Sequence, residues 1–525
     1  MLNRIFVVDS VTLSSTGTAV SSYVPFDQTT RKLPTQVVVK ATGQGAYVRL
    51  SNDNSAATNV DVLVQGGDHV VLSVQGRRWV SVLSDGASST VSVGALSTGV
   101  SGDAASLSLD FAGTGTLDPR VTFTRASTAT FFNSAGVLTS AAANAPRFDY
   151  NPSTLAAQGL LIEEARTNFF TNASGASSGT IGTGTVSGPD NVSCRTFIPT
   201  AGAVSFPNIT GPAQTFSLSL GQTVDWAWSG WIAAGPVGTL TLEPRFVFNI
   251  SVGGLSSFIY AELQINTSSW TVRTKALGTG LTEVSAPTIT LFKPGLYRVT
   301  WVVRYTQDAT GRNNIAASIQ ARDTANSGTY TADGVSGFQY TLCQAETGSF
   351  PTSVIPTTTT ALTRAADVAS VNTLSPWYNS VGGTLYGESL RYALPAASTF
   401  PSIAEFDNGT TNRIGNYSTL VGGTNEYRAF VVDAGVAQAD IGGVASRVTT
   451  GTVAKQAFAF AANDFALSVN GSSVFTDTAG TVPATVNRMS IGSSYIAANF
   501  NNGWIRRVVF YPRRLSNAEL VSITS

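Results

Sequence analysis

Short β-branched and aromatic runs, alternating with period two and cut by Gly, Ser and Asn, recur along almost the whole chain. Examples are Gln36-Val37-Val38-Val39, Trp79-Val80-Ser81-Val82-Leu83, Phe216-Ser217-Leu218-Ser219-Leu220 and Leu296-Tyr297-Arg298-Val299-Thr300-Trp301. Successive side chains of a strand point to opposite faces, so such runs demand sheets with one face buried. Only one stretch has a convincing helix start: Ser516-Asn517-Ala518-Glu519 fits a capping box before Leu520-Val521, placing a short helix as a lid on the last domain. The fold class expected is therefore all-β.

At 525 residues the chain is too long for one core, so several domains follow. Charged residues make up 12%, about half of the ~25% typical of soluble domains. Hydroxyl and amide groups must then supply the surface polarity, and Ser, Thr and Asn compete with helical backbone bonds. The 31 basic and 31 acidic residues cancel, which removes the electrostatic term behind nucleic-acid binding. Met1 to Asp9 holds neither a signal peptide nor a spanning helix, so synthesis in a cytoplasm and no membrane insertion are expected. Cys194 and Cys343 read as buried free thiols, with a disulfide between them as the alternative; the single His69 leaves little scope for histidine-based metal or triad chemistry.

Strand-like runs between residues 5 and 97 read as a small antiparallel sandwich or barrel, and the small-residue stretch 99–107 as a linker. A segment of little regular pattern follows. It contains Leu117-Asp118-Pro119-Arg120-Val121-Thr122-Phe123-Thr124-Arg125-Ala126-Ser127, then Ala145-Pro146-Arg147-Phe148-Asp149-Tyr150, then Gly159-Leu160-Leu161-Ile162-Glu163-Glu164-Ala165-Arg166-Thr167-Asn168. These three stretches, in this order, closely resemble a signature segment of tailed-bacteriophage virion proteins. A second marker, Gln344-Ala345-Glu346-Thr347-Gly348-Ser349-Phe350-Pro351-Thr352-Ser353, leads into Thr363-Arg364-Ala365-Ala366-Asp367. It resembles the closing strand and exit loop of a carbohydrate-binding-module jelly roll in those proteins. The C-terminal stretch, with its Asn470-Gly471 hairpin signal and Trp504-bearing last strand, is similar to concanavalin-like and laminin-G-like sandwiches.

The domains expected are thus 1–100, an N-terminal β domain; 101–167, a linker with the irregular signature segment; 168–367, the jelly roll; and 368–525, the concanavalin-like sandwich. The resemblance implies a structural protein of the virion surface, made in the bacterial host cytoplasm: a capsid-attached fibre or decoration protein, homotrimeric, docked to the major capsid or other virion proteins through residues 1–100 and presenting glycan-binding-type domains to host surfaces. A tail fibre or baseplate receptor-binding protein is the alternative within that class. A polysaccharide depolymerase is the alternative outside it.

Glu405 and Asp407 lie two apart on a strand and share one face, as a glycosidase pair requires, but Asn408-Gly409-Thr410 stands where hydrolases of this fold carry a third acid. No catalytic residue is therefore assigned. Asn412, Arg413, Tyr417, Tyr427 and Tyr495, in Gly- and Asn-rich surroundings, are the candidates for a shallow sugar groove. Trp226, Trp228 and Trp231 read as core rather than platform. Asp118, Arg120, Arg125, Arg147, Glu163, Glu164 and Arg166 are assigned structural bonds within the signature segment, fork-like for the arginines. Asp407 and Asp433 offer oxygen ligands, but no clustered calcium motif is present, so no metal and no cofactor are expected.

Overall fold

A computed structural model describes residues 105–525 apart from 172–174, 254–255 and 397, together with the backbone of eight strands within 1–104. The chain divides into two compact units, 1–104 and 105–525. In the first unit, Val7–Ser15, Ser89–Leu96, Gln36–Gly43 and His69–Ser73 form one antiparallel sheet, and Val20–Tyr23, Trp79–Ser84, Ala46–Ser51 and Val62–Val64 a second. Most of the expected linker, and the side chain of His69, lie outside the described residues.

The second unit contains two β-sandwiches, and their boundaries differ from those expected. Leu107–Asp110 pairs with the C-terminal strand Gly503–Tyr511, as does Ala157–Ile162, while Val121–Thr124 pairs with Val368–Val371. Strict alternation explains why these short pieces are strands. Leu107, Leu109, Val121 and Phe123 point inward, and Ser108, Asp110, Thr122 and Thr124 point out. The stretch expected as an irregular spacer therefore supplies strands to both eight-stranded sheets of the C-terminal sandwich.

The jelly roll is inserted into that sandwich. Arg166–Asn168 and Leu362–Arg364 pair antiparallel as a two-stranded neck, with Arg166 opposite Arg364 and the Thr167 and Thr363 hydroxyls 2.7 Å apart. Between the neck strands the chain builds a six-stranded sheet around Thr223–Ala234 and Phe338–Thr347, facing a seven-stranded sheet around Glu243–Val252 and Asn314–Arg322. Trp226 and Trp228 fill the space between these sheets, whereas Trp231, three residues on, points to the opposite face. At the neck, Asn168 is satisfied on both sides: its amide donates to the Ile355 carbonyl at 2.9 Å, and its oxygen accepts from the Phe170 and Ala345 N–H groups at 3.0 Å. The C-terminal helix Asn517–Thr524 is capped by Ser516 and Glu519 and packs Leu520 against Tyr386, Ala457 and Val509.

Leu107, Leu109, Phe111, Val121, Phe123, Leu160 and Ile162 all belong to the core of the C-terminal sandwich. Their burial is worth about 10–20 kcal/mol, which matches or exceeds the ~5–15 kcal/mol by which a whole domain is stable. A fragment of residues 368–525 is accordingly expected to show no cooperative thermal transition by near-UV circular dichroism. The full unit 105–525 should show one.

Candidate functional site

Five residues from four separated stretches meet at the base of the neck. The Asp367 carboxylate accepts from Arg125 at 3.1 Å, from Arg147 at 2.5 Å and from the Glu163 N–H at 2.9 Å. Glu163 accepts from Arg147 at 2.8 Å, from the N–H and hydroxyl of Ser353 at 2.8 and 2.6 Å, and from the Tyr392 hydroxyl at 2.6 Å. Arg364 lies 3.4 Å from Glu163 and 3.6 Å from Asp367. The side chains of Arg125, Arg147, Glu163 and Asp367 are wholly excluded from solvent. Burial pushes the Glu163 carboxyl up, but Arg364 and Arg147 outweigh it and hold the group below the usual carboxylate range.

The remaining signature residues act locally. Arg120 makes a two-pronged bond to Asp118, at 2.9 and 2.7 Å, near the surface. Arg166 pairs with Glu164, donates to the Thr347 carbonyl and lies 4.8 Å from the Phe350 ring. Glu163 and Glu164 face opposite ways: the first is buried in the cluster, and the second bonds Arg166 and Asn502.

The candidate sugar residues do not form one groove. Tyr427 is turned into the core of the sandwich, 1% exposed, because the strand Thr424–Asp433 alternates and Tyr427, Ala429 and Val431 share its inner face. Asn412 is a turn clamp, donating to the Thr485 hydroxyl at 2.6 Å and accepting from the Ala434 N–H at 2.7 Å. The Tyr417 hydroxyl donates to Asp440 at 2.8 Å. Only Arg413 and Tyr495 come together, the guanidinium 4.9 Å from the ring. Beneath them lies Glu405, 2% exposed, 4.0 Å from Arg413 and with Oε1 lacking a hydrogen-bond partner. Burial, only partly offset by Arg413, pushes the Glu405 carboxyl up to about 8. Its neighbour Asp407 is fully engaged, accepting from Arg488 at 2.7 Å, the Ser490 hydroxyl at 3.0 Å and the Gly409 N–H at 2.8 Å. Asp433 accepts from the Thr481 hydroxyl instead, and among the described residues no group of three His, Cys, Asp or Glu is placed to hold a metal ion. Cys194 and Cys343 are both free and buried.

A further feature escaped the sequence reading. A cleft of about 1260 Å³ opens between the two sandwiches beside the neck. Phe350, Tyr392 and Trp504 run along it, with the Tyr392 ring edge-to-face with both neighbours at 5.7 and 5.5 Å. Arg298 and Trp231 come from the jelly roll, and Arg391 from the C-terminal sandwich. Alternation does assign Arg298 and Trp231 to the outer face of their sheet. It cannot reveal the opposing wall, whose Arg391, Tyr392 and Trp504 come from distant parts of the chain. Asp149, at one side, accepts from the Trp504 indole at 2.8 Å and the Phe132 N–H at 2.6 Å, and burial pushes its carboxyl up to about 6.

Two consequences are measurable. Asp367→Ala leaves Arg125 and Arg147 buried without their shared carboxylate, and a loss of about 3–5 kcal/mol is expected in denaturant unfolding of the 105–525 unit. For Glu405 the folded pKa is raised from 4.5 to about 8, so its contribution is full below pH 4.5 and is lost as pH rises through 8. Glu405→Gln should flatten that decline and stabilise the protein by roughly 2–4 kcal/mol above pH 8, read from melting curves at pH 5 and pH 9.

No family model matches the chain, and no curated protein matches it. Among solved structures, the mouse laminin alpha1 chain, domains LG4-5, aligns at 12% identity over 61% of this chain and 93% of that one, with a TM-score of 0.18. The β-sandwich architecture stands on the strand pairing described above.

Proposed function

We propose that this chain is a non-catalytic structural protein of a tailed-bacteriophage virion, a capsid-attached fibre or decoration protein that presents rigid glycan-binding-type sandwiches. One observation carries the reading. Each stretch on which the resemblance rests delivers a member of the same buried cluster: Arg125 from the first, Arg147 from the second, Glu163 from the third, Ser353 from the exit-loop marker, and Arg364 and Asp367 from its continuation. Such a pattern locks two sandwiches into a fixed display scaffold and leaves none of these groups free for chemistry. The acids best suited to hydrolysis point the same way, since Asp407 is held by Arg488, Ser490 and the Gly409 N–H and Glu405 is covered. Residues 1–104 form their own compact unit, the size of a docking module. Homotrimeric assembly would pair exposed sheet edges between copies.

Immunogold labelling of intact particles with antibodies to this chain tests the proposal, with label expected on the head. Label confined to the tail favours the receptor-binding alternative, and unlabelled particles overturn the virion reading. The purified full chain should release no reducing ends from capsule or lipopolysaccharide. Release that disappears in Glu405→Gln would replace the proposal with a depolymerase.

A further inference from the structure

Every acid that lines the cleft between the sandwiches is already engaged. Asp149 serves Trp504 and Phe132, Glu163 belongs to the buried cluster, Glu164 holds Arg166 and Asn502, and Asp225 takes a two-pronged bond from Arg304 at 2.7 and 2.9 Å. The donors are another matter. Trp231 Nε1, Arg298 Nε and Arg391 Nη1 are buried, line the cleft, and have no protein acceptor. Trp231 and Arg391 are each 1% exposed. Trp231 and Arg298 are directly opposed across paired strands, with the guanidinium 5.1 Å from the indole ring. Leaving buried donors unserved costs about 1–3 kcal/mol each, so three around one cleft mark the place where an acceptor-rich, negatively charged ligand is complementary.

Size and lining narrow the class. About 1260 Å³ exceeds the space a single small anion fills and suits an oligomer of several rings. The edge-to-face row of Phe350, Tyr392 and Trp504 offers apolar surface to the flat faces of sugar rings. Thr300, Ser349 and Asn499 add hydroxyl and amide groups of the kind that meet sugar hydroxyls.

We propose that this cleft binds an oligosaccharide carrying a carboxylate, with Arg298 and Arg391 taking the acid from opposite sandwiches, the Trp231 N–H beside Arg298, and the Phe350–Tyr392–Trp504 row supporting the rings. The proposal rests on the reading of these sandwiches as glycan-binding modules and names their ligand class. Charge-assisted, forked bonds to a carboxylate replace weaker bonds to water. The site also needs both sandwiches, which explains why their relative placement is fixed by the neck and the buried cluster.

Isothermal calorimetry on the full chain with trigalacturonate, neutral galactotriose and inorganic phosphate tests it. The acidic trisaccharide is expected to bind about tenfold or more tightly than the neutral one, more weakly as salt rises, and phosphate alone not measurably. Arg298→Gln should cost about tenfold or more in affinity. Arg298→Lys, which keeps the charge but loses the fork, should cost less, with both variants melting as the parent does. Trp231→Phe gives an independent check: it keeps an aromatic ring against Phe292 and removes the N–H donor, and a melting curve matching the parent's separates that loss from the smaller ring's poorer packing. Equal affinity for both trisaccharides, affinity unmoved by all three variants, phosphate binding as tightly as trigalacturonate, or no binding of trigalacturonate each overturns the assignment. A glycan array probed with the full chain separates the two levels: signal on neutral glycans alone sinks only the acidic-sugar site, whereas a blank array sinks the glycan-binding reading beneath it.

Discussion

Two carboxylates buried among three guanidinium groups hold the 105–525 unit in its arrangement. Asp367 and Glu163 share Arg147, Asp367 alone takes Arg125, and Arg364 sits within 3.6 Å of both. Taking such groups out of water is costly, and their mutual attraction repays the cost only when geometry is close and the remaining lone pairs are bonded. On the carboxylate side they are, with Ser353, Tyr392 and the Glu163 N–H completing the set, while Arg147 Nε and Arg364 Nε and Nη1 are left without an acceptor. The cluster contributes less to net stability than to uniqueness, because any other relative placement of the strands would strand a buried charge.

That constraint makes sense of the insertion. A jelly roll entered and left through two short strands would otherwise swing on a three-residue neck. Ser353, from the loop that leaves the jelly roll, bonds Glu163 of the surrounding sandwich, so the inserted domain is tied at a second point. Arg166 adds a third tie, reaching from the neck to the Thr347 carbonyl. The cleft between the sandwiches then keeps a defined shape, with Arg298 on one wall and Arg391 on the other.

The same economy of charge runs through the described residues of the 105–525 unit. With only 12% charged residues, many of the arginines are committed to internal pairs: Arg304 to Asp225, Arg428 to Glu426 and Asp440, Arg488 to Asp407, Arg513 to Glu519. Buried guanidinium nitrogens without an acceptor also occur in Arg147, Arg245, Arg322 and Arg364, but Arg298 and Arg391 are the pair that lines the cleft, one from each sandwich.

Strand identity was legible where the alternation is long, as in Leu296–Thr306, because period-two alternation is a local property. It was not legible in the four-residue strands Leu107–Asp110 and Val121–Thr124, which read as linker and irregular segment, and the run 216–220, which reads as a strand, is not one. The capped terminal helix was legible, its Ser516–Glu519 box being complete within four residues. Sheet membership was not. Nothing near Leu107 announces that its partner is Phe510, or that Val121 will lie beside Val371, since strand pairing is decided by burial across hundreds of residues. The site divides along the same line. The signature charges could be picked out one by one, yet only the folded chain brings Arg125, Arg147, Glu163 and Asp367 to one point. Tyr427 went inside because its strand's inner face claims every second residue, and the Arg298–Arg391 cleft exists only once the inserted jelly roll and the sandwich around it are locked side by side. Local spacing determined the longer elements, and long-range burial of apolar and charged groups determined where they went.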